Sequence, residues 1–119
     1  MTPRPANPQV FLGHLAGDYR GPVLAGLEHV GFFRDVPAGG TVFLKPNLTF
    51  PVYRPGVMTS FECLKAVVEL LRKRGYQVII GEADSGGYNR FSMDEVFAKM
   101  GITELARVTG ARVVNLSYA

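Results

Sequence analysis

The chain contains no tryptophan, one cysteine and two histidines in 119 residues. A single cysteine, Cys63, excludes an internal disulfide framework, and it excludes a four-cysteine zinc site or an iron–sulfur cluster held by this chain alone. His14 is a single histidine in a glycine-flanked stretch, for which a metal role is the lesser reading, and His29 falls inside the first expected helix and reads as a surface or packing residue. No apolar run approaches the roughly 20 residues that cross a bilayer, and the opening Met1-Thr2-Pro3-Arg4-Pro5 has no apolar leader core. The expectation is a cytoplasmic protein without membrane contact. Charge is also sparse: 19% of residues are charged, and 13 basic against 10 acidic side chains leave a net +3. Part of that excess is the run Arg72-Lys73-Arg74, which sits before Gly75 and suits the negative end of a helix dipole. No basic stripe with interleaved aromatics occurs, so nucleic acid is not an expected partner.

What remains is 47% hydrophobic, enough for one modest core at this length. Residues 1–8 carry three prolines and read as a flexible tail, leaving 9–119 as a single domain. Val10-Phe11-Leu12 reads as a first strand, ended by Gly13. Gly21-Pro22 starts a helix whose Leu24, Leu27 and Val30 fall near helical spacing, up to about Phe33. Thr41-Val42-Phe43-Leu44 is β-branched and aromatic and is stopped by Pro46. After a long loop at 48–58, Thr59 and Glu62 have capping-box spacing. Leu64, Val67, Val68 and Leu71 then follow at helical spacing, predicting a helix over 59–74. Gln77 to Gly81 is a buried-type strand. Ser92 and Glu95 form a second capping-box pattern before a helix ended by Gly101. A short turn from Glu104 to Val108 leads to a last strand at 112–116. The alternation predicts an α/β fold: a three-layer, Rossmann-like arrangement with a mainly parallel sheet of about four strands and helices on both faces.

In open parallel sheets, ligands sit beyond the carboxyl ends of the strands. Lys45 and Asn47 follow the second expected strand, and Glu82, Asp84, Ser85 and Gly86 follow the third. Lys45, held extended by Pro46, offers a point charge to phosphate or carboxylate. Glu82 and Asp84 are candidate catalytic carboxylates, as general base or metal ligands. Asn47, Ser85 and Gly86 complete the candidate ligand contacts; glycine permits close backbone approach. The competing reading pairs Lys45 with Glu82 or Asp84 across neighbouring strand ends and leaves Asn47 as a turn cap. No phosphate-binding loop of the G-x-x-x-x-G-K-[ST] type and no G-x-G-x-x-G dinucleotide fingerprint occurs. Tyr53, Arg54, Tyr88 and Arg90 lie in the two long loops, where they can clamp a planar or anionic group or simply meet solvent.

Taken together, Val42-Phe43-Leu44-Lys45-Pro46-Asn47-Leu48, Gly56-Val57-Met58-Thr59-Ser60, Gly81-Glu82-Ala83-Asp84, Phe97-Ala98-Lys99-Met100-Gly101 and Gly110-Ala111-Arg112-Val113-Val114 resemble the family catalogued as domain of unknown function 362. The resemblance runs from about Val10 to the end of the chain. It implies that the chain is the N-terminal part of a longer family domain. It also implies that any iron–sulfur cluster belongs to an attached ferredoxin-like module. Two functions follow as expectations. One is a small-anion or metal-assisted enzyme site at the strand rim; the other is a non-catalytic partner or scaffold of iron–sulfur electron transfer. The remainder of the family domain, or self-association through an open sheet edge, is the expected partner.

Overall fold

Three short runs with strand chemistry build the sheet, and the helices between them run back along one face. The computed structural model describes residues 7–84 and 91–118. In chain order the elements are α1 (Arg20–His29), α2 (Phe32–Asp35), β1 (Thr41–Leu44), α3 (Phe61–Lys73), β2 (Gln77–Glu82), α4 (Met93–Lys99), α5 (Ile102–Thr109) and β3 (Arg112–Asn115). A 3₁₀ turn at Leu116–Tyr118 follows β3. The strands lie in the order β1-β2-β3, and both pairings are parallel. Val42 and Leu44 register with Val78 and Ile80, and Ile80 with Val113. Sequential order with right-handed crossovers places the connecting helices on the same face. Accordingly α3 packs on β2 and lies beside α5.

The α/β class with a parallel sheet is as expected; the strand count is not. Among the described residues the sheet has three strands. Val10-Phe11-Leu12 forms no strand, and Val10 and Leu12 are 74% and 94% exposed. Three apolar residues between Pro8 and Gly13 have β propensity but gain no ladder hydrogen bonds, and only Phe11 finds a packing partner, His29, which is too little to offset ordering a strand. The second helical layer is likewise not seen among the described residues. Phe43, on the face opposite the helices, is 49% exposed.

The first helix breaks where the sequence reading ran on. Gly31 takes a left-handed φ of 76°, which separates α1 from α2. Its aromatic end docks on Tyr76, whose ring centroid lies 5.6 Å from that of Phe32 and 6.3 Å from that of Phe33. The buried Tyr76 hydroxyl donates to the Val36 carbonyl, so the polar tip of a core aromatic is satisfied.

Helix α3 starts later than the capping-box spacing predicts. Ser60, not Thr59, is its N-cap, and its Oγ accepts from the Cys63 amide at 3.1 Å. Leu64, Val68 and Leu71 are buried on the face towards the sheet, as expected, while Val67 is half-buried beside them. The run Arg72-Lys73-Arg74 divides at the end of this helix. Arg72 turns inward, donating from Nε to the Thr109 carbonyl at 2.9 Å and from one terminal nitrogen to the Tyr76 carbonyl at 3.0 Å. It thereby joins the ends of α3 and α5 to the start of β2.

Ser92 caps α4 as its spacing predicts, its Oγ accepting from the Glu95 amide at 3.2 Å. Gly101, at φ 79°, ends α4 and begins α5, so α5 starts two residues before the expected turn. Met93, Val96, Phe97, Ile102 and Leu105 from this helix pair complete the core against Val78 and Ile80. Among the described residues, no helix is long and apolar enough to cross a membrane.

Candidate functional site

Parallel pairing of β1 and β2 brings the residues after Leu44 next to the end of β2, and this adjacency builds the site. Lys45 stands one residue beyond β1, and Glu82 is the last residue of β2. Lys45 Nζ donates to Glu82 Oε2 at 3.1 Å. Glu82 Oε1 accepts from the Ala83 amide at 2.9 Å. The pair is asymmetric: the Glu82 side chain is 11% exposed and the Lys45 side chain 57%. The ammonium and the amide offset the cost of withdrawing the carboxylate from water. The lysine keeps part of its donor capacity turned towards solvent.

Asn47 is placed by a backbone clasp. Its amide donates to Thr59 Oγ1 at 2.9 Å, and the Thr59 amide donates back to the Asn47 carbonyl at 2.9 Å. This closes the loop between β1 and α3, with Pro46, Leu48 and Met58 buried beneath it. The Asn47 side chain is exposed. The clasp also fastens the start of α3 to Asn47, two residues after Lys45, so the positive end of the α3 dipole lies at the carboxyl-end side of β1.

Asp84 is occupied differently from Glu82. Its Oδ1 accepts from the Met93 amide at 2.6 Å, at the start of α4. Its own amide donates to Ser117 Oγ at 2.8 Å. The carboxylate therefore ties the end of β2 to the start of α4, and its Oδ1 is engaged by the fold. Ser85 and Gly86, with Tyr88 and Arg90, lie outside the described residues.

The third strand adds a neighbour that the residue-type reading did not single out. Asn115 is the register partner of Glu82. Its Nδ2 donates to Asp94 Oδ1 at 3.0 Å, and its Oδ1 accepts from the Ser117 amide at 3.0 Å. The available signal was its place as the last polar residue of an apolar strand. The two long loops also meet: Phe50 and Phe91 pack edge to face at 6.4 Å, and the Arg54 guanidinium lies 4.0 Å above the Phe50 ring. Tyr53 is exposed. His14 is exposed on the N-terminal segment, and His29 packs against Phe11 with ring centroids 5.8 Å apart. Among the described residues, no three histidine, cysteine or carboxylate side chains come together as a metal site.

The rim therefore unites Lys45 and Glu82 directly, with Asn47 and Asp84 on the segments that leave the same strand ends. Such an arrangement can present one positive charge and amide donors to an anion, with a buried carboxylate behind the charge. No curated protein and no solved structure matches the chain significantly. A family model does match over residues 42–119, a span that begins in β1 and takes in the whole rim, and the chain belongs to that family, the domain of unknown function DUF362.

Proposed function

We propose that this domain binds a small anionic ligand at the carboxyl ends of its strands. Lys45 is the charge contact and Asn47 supplies amide donors. Glu82 orients the ammonium and is the carboxylate placed to exchange a proton with the ligand. The observation that carries this reading is the asymmetry of the Lys45–Glu82 pair, with one partner withdrawn and the other half open to solvent at 3.1 Å. Lysine binds phosphate or carboxylate as a point charge, which suits a contact that keeps donor protons free. Asp84, with one oxygen engaged by the Met93 amide, ties the end of β2 to the start of α4.

The same reading includes the fuller architecture: a further strand and a second layer over the Phe43 face, three-layered and Rossmann-like. Support comes from the all-parallel order and from the apolar residues on that open face.

The test is titration with inorganic phosphate and with citrate, followed by amide and side-chain NMR shifts. Saturable shifts centred on Lys45, Asn47 and Glu82 are expected, with a Kd in the millimolar range, about 4 kcal/mol of binding free energy. Lys45→Met should abolish them. Equal shifts in that variant would overturn the proposal.

A further inference from the structure

A concavity lies between α1 and α3, beside the part of α3 that runs away from the rim. Its volume is about 600 Å³, within the usual range for small-molecule sites. Leu24 of α1 and Leu70 of α3, both half-buried, supply apolar surface, and Arg20, Lys73 and Arg74 supply charge. The remaining polar lining residue is Glu69. Its Oε1 already accepts from Arg20 at 3.1 Å and from Lys65 at 3.1 Å, so its charge is compensated.

The arginines are held by their surroundings. Arg20 is tied to Glu69, and the Arg74 guanidinium lies 4.4 Å above the Phe33 ring. Among the described residues, no carboxylate pairs with Lys73 or Arg74. The helix dipole accounts for basic residues in a last turn. It does not account for their convergence with Arg20, from another helix, around an apolar floor.

We infer that this groove binds a small amphiphilic anion, its apolar body on Leu24 and Leu70 and its charged head among Arg20, Lys73 and Arg74. The dimensions favour a small molecule over a docked helix. The α3 lining runs only from Glu69 to Arg74. That is about 8 Å of helix, too short for the several turns an amphipathic partner lays into a groove. Charge selects an anion, and the leucines select one with a hydrocarbon body.

Octanoate is the probe, with acetate as the head alone and octylammonium as the tail with opposite charge. Octanoate should shift the amides of Leu24, Leu70, Lys73 and Arg74 saturably, and acetate should bind at least about tenfold more weakly. Octylammonium should leave these amides unmoved. The exposed double variant Lys73→Gln/Arg74→Gln should lose about tenfold in octanoate affinity. The charge-keeping variant Lys73→Arg/Arg74→Lys should retain binding, with an unchanged amide spectrum elsewhere in both. Octylammonium binding as well as octanoate, or undiminished affinity in the glutamine variant, would overturn the inference. So would shifts confined to Lys45 and Glu82, because octanoate would then occupy the rim; Lys45→Met, in turn, should leave groove binding intact.

Discussion

Lys45 Nζ and Glu82 Oε2 stand 3.1 Å apart across two parallel strand ends, with the carboxylate withdrawn from solvent and the ammonium half in it. The asymmetry makes the two halves of the pair unequal under mutation. Lys45→Met removes an exposed charge but leaves Glu82 without its ammonium partner, and should cost about 1–3 kcal/mol at neutral pH. Glu82→Gln keeps the shape and an acceptor for the Ala83 amide, and should cost less. The double variant should be more stable than the sum of the single losses predicts, because neither leaves a charge unpaired. Urea denaturation of the four proteins measures this, and strict additivity would show that the pair contributes no coupling.

Ser60 and Thr59 are adjacent hydroxyl residues with separate tasks. Ser60 caps α3, while Thr59 fastens the start of that helix to Asn47. Ser60→Ala should lower stability by about 1 kcal/mol with the loop unchanged. Thr59→Ala removes the acceptor of the Asn47 amide while α3 keeps its cap. It should therefore raise hydrogen exchange at Asn47 more than at Cys63, and Ser60→Ala should do the reverse. Equal exchange patterns in the two variants would contradict this division of roles.

This division also marks where the sequence stops being legible. Thr59-x-x-Glu62 has capping-box spacing, but the contact that commits Thr59 elsewhere comes from Asn47, on the far side of a loop. The same holds at the rim. Parallel strands consecutive in sequence are more often neighbours than not, so the pattern favours bringing Lys45 and Glu82 together, and the β1–β2 pairing does so. The Asp84–Met93 and Asn115–Asp94 bonds join residues 9 and 21 positions apart, and no local pattern specifies either pairing. Val10-Phe11-Leu12 failed for the opposite reason. Its composition favours a strand, but no described neighbour pairs with it, and propensity without pairing does not make one. In β1, β2 and α4, local pattern and tertiary packing agree, and there the expected elements formed with boundaries shifted by about a residue.

Cys63 lies half-buried on α3, and burial pushes its thiol above the ordinary cysteine range. Only the thiolate reacts readily, so the native protein should alkylate slowly at neutral pH. Unfolding restores the ordinary thiol, and the labelling rate should rise through the same denaturant range as loss of helical circular dichroism. Fast labelling of the native protein would show that α3 opens locally at Cys63.

Gly81 and Phe43 are coupled across the open face of the sheet. They stand on adjacent strands, and the Phe43 ring lies where a side chain on residue 81 would begin. A Cβ built on Gly81 comes 2.5 Å from Phe43 Cζ and 2.7 Å from Cε2, closer than such atoms pack, while Leu116 Cδ1 at 3.6 Å makes an ordinary contact. Gly81→Val must therefore displace the ring, and should destabilise by about 1–3 kcal/mol even though valine suits a central strand better than glycine. The ring is 49% exposed, so it has room to swing outward, which argues for the lower part of that range. Removing the obstacle should change the sign. In a Phe43→Ala background the same Gly81→Val substitution should be neutral or stabilising, because the β-branched side chain then fills the space left by the ring. Denaturation midpoints of the four proteins give the coupling directly. A Gly81→Val cost that persists in full after Phe43→Ala would place the strain in the β2 backbone and not in the contact with Phe43.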